Sequence, residues 1–168
     1  MPGKKEEGGS MKKIVIGSDK SGFMLKEALK KHLREAGYEV SDCGTQSEDA
    51  PLMYDLVAQK GSEMIARGEF EKGIFICGTG MGMAVVANKR PGVYAAVCEN
   101  TFAAQKARAI NDANVLTMGA WITGEVAACA IADAFLETEF TQGLEDWRAA
   151  NLKNAKGRIA EFEKELYK

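Results

Sequence analysis

The chain has 168 residues, of which 46% are hydrophobic, and its formal net charge is -2 at pH 7. This length supports one domain with a substantial core, and the basic residues form no long stripe that would favour a nucleic-acid partner. No apolar run approaches the roughly 18 residues of a membrane span, and no secretion leader opens the chain. We therefore expect a cytoplasmic protein without a nucleic-acid or membrane partner.

The cysteines and the single histidine give no pattern typical of a metal site. Cys43, Cys77, Cys98 and Cys129 form no C-x-x-C pair, and His32 is the only histidine. Zinc sites usually combine several such ligands at short spacings. We predict reduced thiols and no bound metal.

Short apolar segments alternate with segments of helical periodicity from Lys12 onward, whereas residues 1–11 have the polar, glycine-rich composition of a tail outside the fold. The predicted strands cover residues 14–17, 40–43, 74–77, 93–98 and 115–118. The predicted helices cover residues 23–36, 53–66, 83–89, 102–110 and 125–136. A helix thus separates every two successive strands.

This alternation is typical of a parallel sheet covered on both faces by helices with right-handed crossovers. We predict an α/β domain with five parallel strands over residues 12–143. Residues 144–168 are charged and have no strand after them. We expect them to form a C-terminal helix of the same domain that packs on it or reaches a partner subunit.

Residues 73–87, GIFICGTGMGMAVVA, join the third predicted strand to a helix through Gly78, Gly80 and Gly82. Glycine permits positive φ or close approach to a ligand, and amides at a helix N-terminus attract anions. Cys77 opens the loop, so a possible base stands beside donors that could hold an oxyanion. A glycine-rich turn with a buried cysteine also occurs in inert domains, and the local pattern leaves both interpretations open.

The loop does not match the nucleotide-binding motifs. The dinucleotide fingerprint G-x-G-x-x-G would need glycine at the position of Met83, and the lysine of a P-loop is absent. We therefore predict no nucleotide cofactor. A small anionic or enediolate-like ligand suits the loop better.

A second polar loop, SDKSG at residues 18–22, follows the first predicted strand. Ligands of open parallel sheets bind beyond the carboxyl ends of the strands, where the strand order reverses. In a flavodoxin-type order, strands one and three are neighbours, which would bring Asp19 and Lys20 to the loop at residues 77–82. A helix-capping Asp19 and a solvated Lys20 are the alternatives to this ligand role.

Several separate motifs occur together in chain order: GSD at 17–19 with GF at 22–23, DCGT at 42–45, ICGTGMG at 76–82, ANK at 87–89, NDANVL at 111–116, and Gly119. Together they resemble the ribose-5-phosphate isomerase B and galactose-6-phosphate isomerase family over residues 12–148. The resemblance implies a three-layer α/β/α Rossmann-like sandwich and metal-independent aldose-ketose isomerisation without a cofactor. It also implies a homodimer or dimer of dimers with active sites at the subunit interface.

The resemblance also implies the role of each matching residue. Cys77 matches the base that moves a proton between C1 and C2 of an open-chain sugar phosphate through a cis-enediolate, and Thr79 lies in the matching catalytic loop. The predicted substrate-binding residues are Asp19, Lys20, Tyr54, Gly78, Gly80, Met81, Gly82, Glu99, Asn111 and Arg148.

Three positions depart from the family pattern. Lys20 stands where the family has a histidine, Ile110 stands where it has the histidine that opens the sugar ring, and only Arg148 remains of a C-terminal arginine-histidine cluster. Isoleucine cannot transfer a proton. The substrate is then a sugar that needs no ring opening, such as a tetrose 4-phosphate, or another group such as Glu99 replaces the histidine for ribose 5-phosphate.

Other substrates and a different class of function stay open as alternatives. The substrate could be a sugar acid or an unphosphorylated sugar. The chain could also be a weakly catalytic paralogue that binds a sugar phosphate, or one subunit of a hetero-oligomer. The retained Cys77 and its glycine loop favour an enzyme.

Overall fold

The computed structural model describes residues 12–168, which form five strands and six helices. The strands are β1 (Lys13–Ser18), β2 (Glu39–Asp42), β3 (Lys72–Cys77), β4 (Ala95–Val97) and β5 (Val115–Gly119). The helices are α1 (Phe23–Glu35), α2 (Tyr54–Ala66), α3 (Met81–Ala87), α4 (Thr101–Asn111), α5 (Glu125–Glu137) and α6 (Asp146–Leu166). The predicted tail, residues 1–11, lies outside the described residues. None of the helices in residues 12–168 has the length and apolar character needed to cross a membrane.

All strand pairs are parallel, and the order across the sheet is β2-β1-β3-β5-β4. The predicted five-stranded parallel sheet is confirmed, and β1 and β3 are neighbours as expected. The last two strands depart from the flavodoxin-type order, because β5 pairs with β3 and β4 lies at the edge. The carboxyl end of β5 therefore adjoins that of β3.

Helices cover both faces of the sheet. Helices α1, α4 and α5 pack on one face, where Ile16, Ile76 and Leu116 belong to one apolar cluster. Helices α2 and α3 pack on the other face, where Val15 and Phe75 belong to a second cluster. The assignment of neighbouring strand residues to opposite clusters follows from the two-residue period of a strand. The three-layer sandwich expected from the sequence is confirmed.

The edge strand β4 is shorter than the predicted 93–98 segment. The Val93 amide donates to the Arg90 carbonyl at 3.1 Å and closes a turn. The Tyr94 amide donates to the Asn114 side chain at 2.8 Å. Side-chain and turn hydrogen bonds thus replace ladder pairing at the start of the predicted strand, and only three residues remain in β4.

The C-terminal helix α6 attaches to the amino-terminal edge of the sheet. Lys156 pairs with Asp112, which precedes β5. Glu163 accepts hydrogen bonds from the Gly92 amide at 3.0 Å and the Tyr94 hydroxyl at 3.2 Å, both before β4. No residue of α6 is buried. The helix leaves an apolar surface exposed that comprises Trp147, Ile159, Phe162 and Leu166.

Candidate active site

Cys77 is the last residue of β3, and only 6% of its surface is exposed. The Gly80 amide donates a hydrogen bond to Cys77 Sγ at 3.1 Å. This return of the backbone depends on the positive φ of Gly80, +76°, after which α3 begins at Met81. An amide donor directed at sulfur stabilises negative charge there, as a thiolate base requires.

The other three thiols lie in surroundings that keep them protonated at neutral pH. Burial raises the pKa of Cys43 to about 12 and that of Cys98 to about 11. Burial, followed by the nearby carboxylates of Asp133 and Glu125, also raises the pKa of Cys129. Each thiol is free. Cys77 differs from them in its position, since it ends a strand at the glycine loop and accepts a hydrogen bond from the Gly80 amide.

Two aromatic rings pack directly on the glycine loop. A methyl group placed on Gly78 would lie 2.8 Å from three ring atoms of Trp121. A methyl group on Gly82 would lie 2.7 Å from Cε2 of Tyr54. Side chains at these glycines would therefore collide with the rings. The loop lies between Tyr54, at the start of α2, and Trp121, in the loop after β5.

Thr79 occupies the middle of the glycine loop and is partly exposed. Its hydroxyl accepts a hydrogen bond from the Met81 amide at 3.4 Å. A methyl group on Gly119, at the end of β5, would lie 2.6 Å from Cα of Thr79. The loop is thus packed against the carboxyl end of β5, which leaves little room for it to move.

The first polar loop meets the glycine-loop strand, as expected from the adjacency of β1 and β3. The Asp19 amide donates to the Ile76 carbonyl at 3.3 Å, and a methyl group on Gly22 would lie 2.7 Å from the same oxygen. The Asp19 carboxylate accepts a hydrogen bond from the Gly22 amide at 3.0 Å and so fixes the turn before α1. Burial raises the pKa of Asp19, although hydrogen bonds from the Gly22 and Ser21 amides oppose the shift.

Lys20 lies next to Asp19 with its side chain exposed. Within residues 12–168, it has no ion-pair partner. A cation at the carboxyl edge of the sheet that forms no ion pair within these residues can attract an anionic group of a substrate.

A buried ion cluster holds the DCGT segment behind these loops. Lys26 is 0% exposed, and its ammonium donates to the Asp42 carboxylate at 2.6 Å and to the Thr45 carbonyl. Lys30 donates to the same carboxylate at 2.7 Å. Burial opposes the charge on Asp42, but hydrogen bonds from Lys26, Lys30 and the Gly44 amide outweigh it and lower the pKa of Asp42. The cluster fixes α1 against the end of β2.

The remaining predicted site residues lie away from Cys77 within one chain. Asn111 ends α4 beside Asp112, and Arg148 is exposed at the start of α6, so both belong to the amino-terminal edge of the sheet. Glu99 follows β4, separated from β3 by β5 and therefore about 10 Å away along the sheet. A single chain brings together Cys77, the glycine loop, Asp19, Lys20 and Tyr54, but not Asn111 or Arg148.

Trp121 is a site residue that the sequence analysis missed. It stands in the segment GAWITG, which begins at the last residue of β5, and 75% of its surface is exposed. A large apolar side chain three residues after a predicted strand was a usable signal, because ligand loops follow the strands of such sheets. In a flavodoxin-type order the end of the fifth strand would lie away from Cys77, whereas here β5 pairs with β3.

A cleft of about 810 Å³ lies at the amino-terminal edge of the sheet, far from Cys77. Its lining includes Lys72, Arg108 and Asp112. Arg108 pairs with Asp112 at 2.9 Å, and Lys72 donates to the Leu136 carbonyl at 3.2 Å. These charges are satisfied within the chain, and the reactive groups described above do not line this cleft.

Comparisons with known proteins match most of the chain. Residues 14–152 match the family described as Ribose/Galactose Isomerase. A 4-deoxy-4-sulfo-D-erythrose isomerase of Clostridium sp. (strain MSTE9) is 53% identical over 156 residues, which are 93% of this chain and 98% of that protein. A D-erythrulose-4-phosphate isomerase of Pectobacterium atrosepticum is 38% identical over 79% of this chain and 88% of that protein.

The fold also matches solved structures. Ribose-5-phosphate isomerase B of Clostridium thermocellum has a TM-score of 0.83 to this chain at 40% identity, covering 92% of this chain and 99% of that one.

Proposed function

The chain belongs to the ribose/galactose isomerase family, and we propose that it interconverts the aldose and ketose forms of a four-carbon sugar that carries a sulfonate on C4. Membership confirms the family predicted from the sequence. The observation that carries the proposal is Ile110, which stands where the resemblance implies a ring-opening histidine. The 53% identity to a 4-deoxy-4-sulfo-D-erythrose isomerase supports the same substrate.

The geometry at Cys77 suits a proton transfer between neighbouring carbons. In the aldose-to-ketose direction, the Cys77 thiolate takes the proton from C2, and the electron pair moves onto the carbonyl oxygen of C1. The resulting enediolate oxygens lie at the glycine loop, whose amides stabilise the negative charge. Cys77 then returns the proton to C1, and the proton of the C2 hydroxyl passes to the C1 oxygen. Protons and electrons balance within the sugar.

The substrate length explains why isoleucine is tolerated at position 110. An aldose closes a furanose ring through the hydroxyl on C4. When C4 carries a sulfonate in place of that hydroxyl, no such ring forms and no group is needed to open it. Ile110 then removes no step from the reaction, because general acid-base catalysis of ring opening is not required.

The charge at the carboxyl edge fits a singly charged terminal group. Lys20 contributes one exposed cation there. A sulfonate carries a single negative charge at neutral pH, whereas a phosphate monoester carries about 1.5 to 2 negative charges. We assign Lys20 to the terminal anion, with Asp19 and Tyr54 lining the same site.

A tetrose 4-phosphate is the second candidate substrate. The 38% identity to a D-erythrulose-4-phosphate isomerase favours it. The ring argument is the same, since esterification of O4 prevents furanose closure. The two candidates differ in the charge and shape of the terminal group and are separated by direct assay.

We also propose that a second copy of the chain completes each site. Asn111 and Arg148 lie at the edge opposite Cys77 and can reach a glycine loop only in a partner subunit. Two exposed apolar surfaces support such packing. One is the surface of α6 described above, and the other surrounds the glycine loop and comprises Met53, Leu56, Met81 and Val85. A homodimer or dimer of dimers would bury both. A cytoplasmic location is part of this proposal and agrees with four free thiols.

The test is a comparison of kcat/KM for 4-deoxy-4-sulfo-D-erythrose, D-erythrose 4-phosphate, ribose 5-phosphate and galactose 6-phosphate, with the products followed by NMR. We expect the four-carbon sulfonate to give the highest value. Highest activity on the four-carbon phosphate would support the second candidate. Absence of turnover with every sugar would favour a binding paralogue and contradict the proposed enzyme.

A further inference from the structure

We infer that Trp121 sets the length of sugar that the site accepts, by closing the side of the glycine loop next to Cys77 against a fifth carbon. The inference rests on the proposed four-carbon substrate. Its basis is the packing of the Trp121 ring on Gly78, the residue that directly follows the candidate base.

The backbone that carries Trp121 is fixed to the catalytic loop. The Ala120 amide donates to the Cys77 carbonyl at 2.9 Å, and the Trp121 amide donates to the Gly78 carbonyl at 3.0 Å. The Thr123 amide closes the turn on the Gly119 carbonyl at 2.9 Å. Any shift of the tryptophan backbone therefore disturbs the loop at Cys77. These bonds fix the backbone of Trp121 relative to Cys77 and Gly78.

The indole ring of Trp121 packs on the glycine loop at Gly78 and is otherwise exposed. Its atoms Cδ2, Cε2 and Cε3 approach Gly78 so closely that a methyl group there would be 2.8 Å away, yet 75% of the residue remains exposed. Most of the indole thus stands clear of the chain, beside the loop. Indole offers apolar area and a single N–H donor, and no acceptor for the hydroxyls of a longer sugar. Tyr54 flanks the other side of the loop at Gly82.

Chain length can be tested without ring opening by starting from the ketoses. D-Erythrulose 4-phosphate has no C5 hydroxyl, and the C5 hydroxyl of D-ribulose 5-phosphate is esterified, so neither forms a furanose. We expect wild type to prefer the four-carbon ketose phosphate. The measured quantity is kcat/KM for D-erythrulose 4-phosphate divided by kcat/KM for D-ribulose 5-phosphate. Trp121→Ala should lower this ratio at least about tenfold, since one carbon in a shaped pocket discriminates by roughly 10 to 200-fold. Trp121→Phe, which keeps a ring, should change the ratio less than about threefold.

The ratio distinguishes specificity from a structural effect. A general loss of loop geometry lowers both kcat/KM values together and leaves their ratio unchanged. An unchanged ratio in an active Trp121→Ala variant would overturn this inference while leaving the proposed function standing. Failure of wild type to convert any four-carbon sugar would instead overturn the proposed function.

Binding of the sugar, followed by tryptophan fluorescence, gives a second test. This test stays informative even if Trp121→Ala fails to fold. The chain has two tryptophans, Trp121 and Trp147, so Trp147→Phe leaves Trp121 as the only source of indole emission. Adding Cys77→Ala should slow turnover by about 100-fold or more during a titration with D-erythrulose 4-phosphate. We expect a saturable change in emission. Unchanged emission at concentrations well above the wild-type KM would place the sugar away from Trp121 and contradict the inference.

Discussion

The Gly80 amide and the Cys77 sulfur are joined by a hydrogen bond of 3.1 Å across the turn between β3 and α3. The bond ties the candidate base to the loop proposed to hold the enediolate. Moving the loop would therefore change the charge stabilisation of the thiolate and the position of the oxyanion donors together.

Replacing the base should abolish chemistry without affecting the fold. We expect Cys77→Ala to lower kcat by about 10² to 10⁴-fold, the usual contribution of a positioned proton-transfer group. Because Cys77 lies at the very end of β3 and alanine removes only its sulfur, the melting temperature should change little. Steady-state kinetics and thermal unfolding measure the two effects.

Cys43 and Cys98 provide the matched controls for this substitution. Both thiols are buried, with pKa values raised to about 12 and about 11. Their alanine variants should lower stability while keeping kcat per folded molecule. Turnover by Cys77→Ala near the wild-type rate would refute the assignment of the base.

A substitution at Gly80 tests whether loop geometry matters separately from strain. Gly80→Ala places a side chain at φ +76° and within 2.7 Å of the Met118 backbone. Gly92→Ala meets similar strain at φ +78° but has open space around the new methyl group. Each should lose about 1 to 3 kcal/mol of unfolding free energy from the positive φ. Only Gly80→Ala should also lower kcat by about 100-fold or more, because the clash displaces the loop amides, and a misplaced oxyanion donor costs about as much as a missing one.

Equal kinetic losses in the two glycine variants would show that the Gly80 effect is one of stability alone. Urea unfolding gives the stability of each variant, and kcat is measured at a temperature where both are folded. The comparison isolates the loop because Gly92 lies at the opposite edge of the sheet.

The fold could be predicted because each element had a local cause. Leu25, Leu29 and Leu33 recur at helical spacing, and all three are buried in α1. The apolar run 74–77 lies within β3. Strand order has no such local signal, since it depends on which crossover packs better, and the sequence pattern is the same for both orders of β4 and β5.

The site was predictable where it is built from consecutive residues. Cys77, the glycine loop, Asp19 and Lys20 follow their strands directly and lie together in the structure. Trp121 was missed because its proximity to Gly78 follows from the position of β5 beside β3. The separation of Asn111 and Arg148 from Cys77 likewise depends on the direction of α4 and the attachment of α6, which no local pattern encodes.

Complementation between inactive subunits tests whether two chains form one site. If Cys77 of one chain works with Arg148 of another, mixing Cys77→Ala and Arg148→Ala subunits creates dimers with one intact site and one doubly altered site. After random exchange, about half of the dimers contain one chain of each kind, and each of these has one of its two sites intact. The mixture should therefore regain about a quarter of the wild-type activity. Each variant alone should be nearly inactive.

The control for subunit exchange mixes two samples of Cys77→Ala that carry different affinity tags. These subunits should exchange, but the mixture should regain no activity. A mixture of the two variants that exchanges and stays inactive would contradict a shared site. So would a monomer at micromolar concentration that turns over substrate at the wild-type rate.

The buried cluster around Asp42 predicts a dependence of stability on acid pH. The pKa of Asp42 is lowered below its ordinary value of 3.8. Its stabilising contribution is therefore fully present above that ordinary value and is lost as the pH falls through the lower pKa of the folded state. Asp42→Asn should lose about 3 to 5 kcal/mol at pH 7, because Lys26 would be left buried with a weaker partner. Below pH 4 this difference from wild type should shrink.

Glu63→Gln is the control, because the Glu63–Arg67 pair is exposed and should contribute at most about 1 kcal/mol. Urea unfolding at pH 7 and at pH 3 measures both variants. An Asp42→Asn variant as stable as wild type at pH 7, or equally destabilised at both pH values, would contradict this role of the cluster.

The last prediction concerns Ile110 and ring opening. Ribose 5-phosphate is mostly a furanose, and its opening needs one group to protonate the ring oxygen and another to take the anomeric proton. Isoleucine does neither, whereas a tetrose blocked at C4 is already open. We expect kcat/KM for the four-carbon substrate to exceed that for ribose 5-phosphate at least about tenfold, which is about 1.4 kcal/mol in the transition state. Ile110→His should raise the value for ribose 5-phosphate and leave that for the four-carbon sugar nearly unchanged, with Ile110→Leu as the matched variant that restores no proton carrier. Equal wild-type activity on ribose 5-phosphate, with little gain from Ile110→His, would overturn the argument and assign ring opening to another group such as Glu99 or to water.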